Sequence, residues 1–285
     1  MPSAVSRSLR SPRVLIAAAM ILCILICAVF AGQIAPNDPS DQNLLAILAP
    51  PAWVDGGDAA YPLGTDSLGR CVLSRLIYGA RTAMLVAFFA SLGAMLIGSI
   101  LAHISGYFGG ATDWIIGRLV DIWMSFPPVI LSLILMVGPG FGIDRVILAI
   151  ILVDWTRFCR VLRSEVMIVT RHDYVSAARL LGFTHWQAIA REVLPATLPL
   201  LITLVSIEMA IAVIVEAILS FVGLGVGADQ AAWGQMIADA RQYVYQSPWN
   251  LLLPAIAIFL TVTAFNLLGD GLRRTLDVRL AEGGR

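Results

Sequence analysis

Three carboxylates interrupt stretches that are otherwise apolar: Asp154, Glu208 and Glu216. An ionisable side chain held among apolar residues is expensive and tends to carry function. Acidic oxygens in such a place hold a cationic group, line a polar path, or answer an arginine or a backbone amide on a neighbouring helix. Glu216 stands near Ser220 and Gly223, which favours a structural or gating part. Glu208 is the stronger candidate for selecting what passes. Phe126, just before Pro127 and Pro128, adds an aromatic ring where a helix must bend. Nucleotide chemistry is absent by residue type. All nineteen Lys+Arg residues are arginine, so the chain has neither a Walker A lysine nor a Schiff-base lysine. No nucleotide, metal or other cofactor is expected. Cys23, Cys27, Cys71 and Cys159 form no CxxC pair, and the three histidines do not cluster with them.

Long apolar segments must position these groups. The 285 residues are 59% hydrophobic and 13% charged, with a mean hydropathy of +0.84. Soluble domains have about 45–50% apolar and about 25% charged residues. A multi-pass membrane protein follows, with all-α architecture, because in lipid the backbone must satisfy its own hydrogen bonds. Zero net charge gives no reason to expect a nucleic-acid partner. Six transmembrane helices are expected, at Val14 to Ala35, Thr82 to Ala102, Leu119 to Val137, Ile143 to Arg163, Thr197 to Val222 and Leu251 to Leu268. Of these the fourth is the shortest apolar run. The organisation is then an N-terminus and first span (1–35), a long proline-rich outer connection (36–81), a core (82–272) and an inner tail (273–285). Fourteen of the nineteen arginines fall on the side of the N-terminus. Five do not: Arg70, Arg75, Arg81, Arg145 and Arg241. This bias places both termini in the cytoplasm. Arg157, Arg160 and Arg163 then form the charged foot of the fourth span, or a contact to lipid phosphate or a soluble partner. Residues 228–247 read as an outer amphipathic helix.

Between the fourth and fifth spans lies a polar, helix-forming insert within residues 171–195. Thr184-His-Trp-Gln187 fits a capping box. A helix of about ten residues is expected after it, stopped by Pro195. Upstream, Asp173 caps a helix running to Leu181, and Gly182 takes the left-handed position that ends it. Tyr174, Ala177, Ala178, Gly182, Trp186, Ile189, Leu194 and Pro195 are the candidate contact residues. The small alanines permit close approach, and the large apolar groups act as anchors in a partner's groove. A helix pair lying on the lipid surface is the other reading of the same pattern.

Ala177-Ala178, Gly182 and Ile189 to Leu194-Pro195 resemble the "EAA" loop of ABC importer membrane subunits. Leu63-Gly-Thr-Asp-Ser-Leu-Gly-Arg70, Phe126-Pro127, Glu216 to Gly225, Trp233-Gly234 and Phe265 to Leu272 resemble the C-type permeases of the dipeptide/oligopeptide/nickel branch. The similarity covers about Ala31 to Leu280. Ser176 stands where the loop usually has Glu, Cys71 where Asp is usual, and Val278 where Pro is usual. The resemblance implies a type I ABC importer fold with a cytoplasmic coupling helix. It implies a non-catalytic subunit in a bacterial inner membrane, paired as a heterodimer with a second, B-type permease. Two ABC ATPases lie beneath, and a periplasmic or lipid-anchored substrate-binding protein delivers peptides or similar small solutes. Glu208 then becomes a candidate for favouring a peptide amino terminus. Two rivals remain from the residues alone. A stand-alone secondary transporter needs an inverted repeat and broken helices at the midplane, and a simple membrane anchor leaves the buried carboxylates unused.

Overall fold

The apolar segments fold as helices, and no strand occurs among the described residues. The computed structural model describes residues 12–138, 140–227 and 230–276. Arg7, Arg10, the tail with Val278, and the start of the 228–247 segment lie outside the described residues. The helices are α1 Pro12–Val29, α2 Val72–Phe108, α3 Gly110–Met124, α4 Pro128–Val137, α5 Ile143–Val169, α6 Asp173–Leu180, α7 His185–Ala188, α8 Leu194–Phe221, α9 Trp233–Ala240 and α10 Trp249–Leu276. A separate turn, Ala31–Ile34, follows α1.

Four of these are long and apolar enough to cross a bilayer: α1, α2, the continuous run through α7 and α8, and α10. Helices α3 and α4 make a fifth if counted as one span bent by 82°. The expected third span is therefore a broken helix. Pro127 and Pro128 lie at the break, where a proline ring and its missing N–H cannot continue an α-helix. Helix α5 has 27 residues, enough length for a span, but carries seven charged groups along it. That charge is why apolar composition alone does not identify it. Helix α2 begins ten residues before the apolar run that announces it, because Val72 to Arg81 is helical without being lipid-like. Where an outer amphipathic helix was expected, α9 and a 3₁₀ turn at Arg241–Tyr243 form instead. Trp233 and Met236 are buried.

Helix α2 is the axis of the fold. It packs along α5 in the most extensive contact of the molecule, and also meets α8 and α1. A row of small residues makes this possible: Ala90, Ala94, Gly98, Ala102 and Gly106 recur every four positions, and all are buried. Without a strong hydrophobic drive between helices in lipid, such rows let backbones approach closely. A Cβ on Gly98 would stand 2.5 Å from Phe158 Cβ and 3.0 Å from the Cys159 nitrogen. Helix α5 would have to move, since one of those atoms is backbone. Gly98→Ala is expected to cost about 1–3 kcal/mol, as overpacking does, read as a lower melting temperature. Gly117, where an added Cβ meets nothing within 4 Å, is the control and should tolerate alanine.

Candidate coupling and translocation site

The insert is two short helices around a glycine turn. Thr184 Oγ1 accepts from the Gln187 N–H at 3.3 Å, and Gln187 Oε1 accepts from the Thr184 N–H at 2.8 Å. This is the expected capping box. His172, not Asp173, precedes the first helix; Asp173 lies inside its first turn, where its charge suits the helix dipole. At the other end Gly182 has φ +96°. Its N–H donates to Arg179 O, and the Phe183 N–H to Ala178 O, each at 3.1 Å. These are the paired bonds of a Schellman ending.

Pro195 does not stop the second helix. A π-helical turn over Ile189–Val193 carries α7 into α8, and the Leu194 N–H donates back to Ile189 O. Pro195 follows at the second position of α8, where a missing N–H costs little. The insert is thus continuous with the fifth predicted span.

Burial divides the candidate residues. Ala178 and Ile189 face inward, with Val175, Ala188 and Val193 beneath the insert. Val175 and Val193 belong to the same core cluster as Trp155, Phe158 and Leu162 of α5. Tyr174, Ala177, Trp186, Leu194 and Pro195 face outward. The most exposed large apolar groups of the insert are two that sequence reasoning passed over, Leu180 at 89% and Leu181 at 82%. A leucine pair immediately before a turn glycine, with no polar cover, was the available signal.

Among the helices, Asp154 of α5 and Glu208 of α8 come together on Arg157. Arg157 Nη2 lies 3.5 Å from Asp154 Oδ1, and Nη1 lies 3.4 Å from Glu208 Oε2. Both carboxylates are almost wholly buried. Glu208 Oε1 is buried with no hydrogen-bond partner. Two carboxyl groups thus share one guanidinium in this cluster. Arg157 is half-buried, so the cluster has an outlet to the molecular surface. Glu216 is separate: its carboxylate accepts from Ser220 Oγ at 2.6 Å. Phe126 stands half exposed at the bend between α3 and α4. The arginine was visible as the foot of a span, and its i, i+3 spacing from Asp154 pointed to the pairing.

A second charged group ties the connection between α1 and α2 to the helices. Asp66 Oδ2 accepts from Arg70 Nε at 2.7 Å and from Arg75 Nη1 at 2.5 Å. Asp239 of α9 lies 3.2 Å from Arg70 Nη2 and 3.6 Å from Arg75 Nη1. The Asp66 carboxylate also accepts from the Leu68 and Arg70 N–H groups at 2.9 Å. Asn250 of α10 donates to Thr65 O at 2.9 Å.

Solved structures share this fold. An inward-facing form of the MetNI methionine ABC transporter matches with a TM-score of 0.58 at 19% identity, covering 70% of this chain and 94% of that one. An amino acid ABC transporter with histidines matches at 0.54 and 17%, covering 70% and 93%. The fold is therefore shared with chains of these ABC transporter structures.

Residues 72–282 match the family described as binding-protein-dependent transport system inner membrane component, and residues 3–51 the N-terminal TM domain of oligopeptide transport permease C. The chain belongs to this family of inner-membrane transport permeases. It is 39% identical over 262 residues to the dipeptide transport system permease protein DppC of Escherichia coli K12, covering 92% of this chain and 87% of that one. It is 38% identical over 260 residues to the di/tripeptide transport system permease protein DppC of Pseudomonas aeruginosa, covering 91% and 86%. The glutathione transport system permease protein GsiD of Pectobacterium atrosepticum is 33% identical over 274 residues, covering 96% and 89%.

Proposed function

We propose that the chain is one membrane half of an ATP-driven importer for peptides or similar small solutes. It pairs with a B-type permease, receives cargo from an extracytoplasmic binding protein, and takes its energy from two ATPases. Both termini lie in the cytoplasm, and there are six spans if α5 and the bent α3–α4 pair each cross once. The outer connection and α9 face the binding protein. The observation that carries the reading is the insert: a capped, glycine-turned helix pair seated on the core, with Leu180, Leu181 and Trp186 left bare. Such a projection fits the cleft of a soluble partner. ATP binding that closes the ATPases draws two such inserts together, and the spans rock as packed bodies between two states.

The Asp154–Arg157–Glu208 cluster is the polar element of the pathway. Its two carboxyl groups on one guanidinium, with Glu208 Oε1 unpartnered, suit the ammonium of a peptide amino terminus. Glu208→Gln is expected to leave ATPase stimulation intact while shifting preference away from solutes with a free amine, by about 10-fold for one lost charge-assisted hydrogen bond. Uptake of free and N-acetylated dipeptides by the reconstituted transporter is the test. Unchanged uptake of both would leave the cluster a structural ion pair.

A further inference from the structure

One imidazole ties the insert to a span with which it has no chain continuity. His185, the first residue of α7, places Nδ1 3.2 Å from Tyr107 Oη at the end of α2. Its Nε2 lies 3.1 Å from Arg179 Nη2, on α6. A guanidinium only donates. Nε2 therefore accepts, the ring proton sits on Nδ1, and it is donated to Tyr107 Oη. Arg179 also donates through Nη1 to Phe183 O at 2.5 Å, across the Gly182 turn. Ring contacts close the joint: His185 meets Tyr107 at 5.7 Å and Phe108 at 5.6 Å, and Trp186 meets Phe108 at 5.7 Å. Both helices of the insert, the turn between them and the end of α2 converge on this ring.

We propose that Tyr107, His185 and Arg179 form a latch that makes the insert and α2 move as one body, so that His185 and Tyr107 are positioning residues for energy coupling. The inference rests on the reading that the insert docks on an ATPase. Its physical content is a choice of route. Along the chain, the insert leads into α8 only through the π-helical turn at Ile189–Val193, an irregular segment of the kind that yields. Force applied to the outer face of the insert also reaches α5, on which Val175 and Val193 pack, but toward α8 it meets this segment first. The latch is a further attachment, and it delivers to a continuous helix. Tyr107 and Arg75 are 32 steps apart along α2, about 48 Å at 1.5 Å each. At the far end Arg75 joins the Asp66–Asp239 group, and the Trp233 indole donates to Leu76 O at 3.0 Å. A shift of the insert thereby reaches the outer connection and α9 without passing through the π-helical turn.

Three variants separate polarity from shape. His185→Arg sets a second guanidinium against Arg179 and removes the acceptor. His185→Gln keeps one acceptor and one donor. Tyr107→Phe keeps the ring and drops the hydroxyl. The complete transporter, with both permeases, the ATPases and the binding protein, is reconstituted in vesicles, and solute taken up per ATP hydrolysed is measured. His185→Arg and Tyr107→Phe are expected to lower this ratio by about 3- to 10-fold, the worth of one or two hydrogen bonds. The ATPases should still co-purify, and His185→Gln should stay within about 2-fold of wild type. An undiminished ratio in His185→Arg overturns the latch, as does a His185→Gln ratio as low as that of His185→Arg. Where His185→Arg fails to accumulate, Tyr107→Phe decides alone, and an unchanged ratio counts against the proposal. Failure of the docking reading looks different: Leu181→Asp would then leave both ATPase co-purification and uptake untouched.

Discussion

Replacing Asp66 with alanine is expected to destabilise the folded permease by about 3–5 kcal/mol, as when one partner of a buried ion pair is removed. Arg75 is 2% exposed, and Asp66 supplies its shortest contact. Without it, Arg75 keeps only Asp239 at 3.6 Å, and two arginines are left facing each other. The Leu68 and Arg70 amides lose their acceptor as well. Thermal unfolding of the purified transporter is the measurement. Asp66→Ala combined with Arg75→Met should recover much of the loss, because the uncompensated charge goes with its counterion. A double variant no more stable than the single one would mean that the loop, and not the charge, had failed. The pH dependence has a definite sign. Burial opposes the Asp66 charge, but Arg75 and Arg70 outweigh it and hold the carboxyl below the usual carboxylate range. A group held below its unfolded value adds stability above that value and loses it as pH falls through the folded one. Near neutrality the contribution of Asp66 to melting should therefore not change with pH. The advantage of wild type over Asp66→Ala should shrink only in acid, below about pH 4.

Leu181→Asp should reduce solute-stimulated ATP hydrolysis by about 30-fold or more, the loss of one interface hot spot of about 2 kcal/mol. At 82% exposure the side chain gives the isolated chain almost nothing to lose, so folded yield should be normal. Ala178→Glu is a poorer probe of docking. Ala178 is 7% exposed, and a carboxylate there would disrupt the seat of the insert itself. Gly182→Asp stands between them. Space around the position is open, but φ of +96° is strained for any residue with a Cβ, at about 1–2 kcal/mol. Co-purified ATPase per permease reads the association directly. Full stimulation by Leu181→Asp would put the docking surface elsewhere.

Much of this architecture was legible because its causes are local. A run without charges predicts α1, and Thr184 with Gln187 predicts a helix start from two side chains and two amides. What stayed hidden depended on partners distant in sequence. Three of the seven charges on α5, Arg157, Arg160 and Arg163, make sense only beside Glu208, Asp121 and Asp113 on other helices. Pro195 looked like a terminator, since the π-helical turn that accommodates it has no signature in residue type. Asp66 could be recognised within a motif but not explained, because Asp239 lies 173 positions further on. Ala178 and Ile189, candidate contact residues by pattern, are buried in the folded chain. Period alone does not say which face of a short helix is covered.

The length of α2 has a consequence for how the molecule meets lipids of different chain length. At 37 residues it is about 55 Å long, against a hydrocarbon layer of about 30 Å. Tilt cannot absorb that mismatch, since matching the two would need an inclination well beyond the usual limit of about 40°. Helix α2 must therefore project past the acyl chains. A thicker or thinner membrane changes how much of α2 is wetted, while the separation between its two ends stays that of the helix.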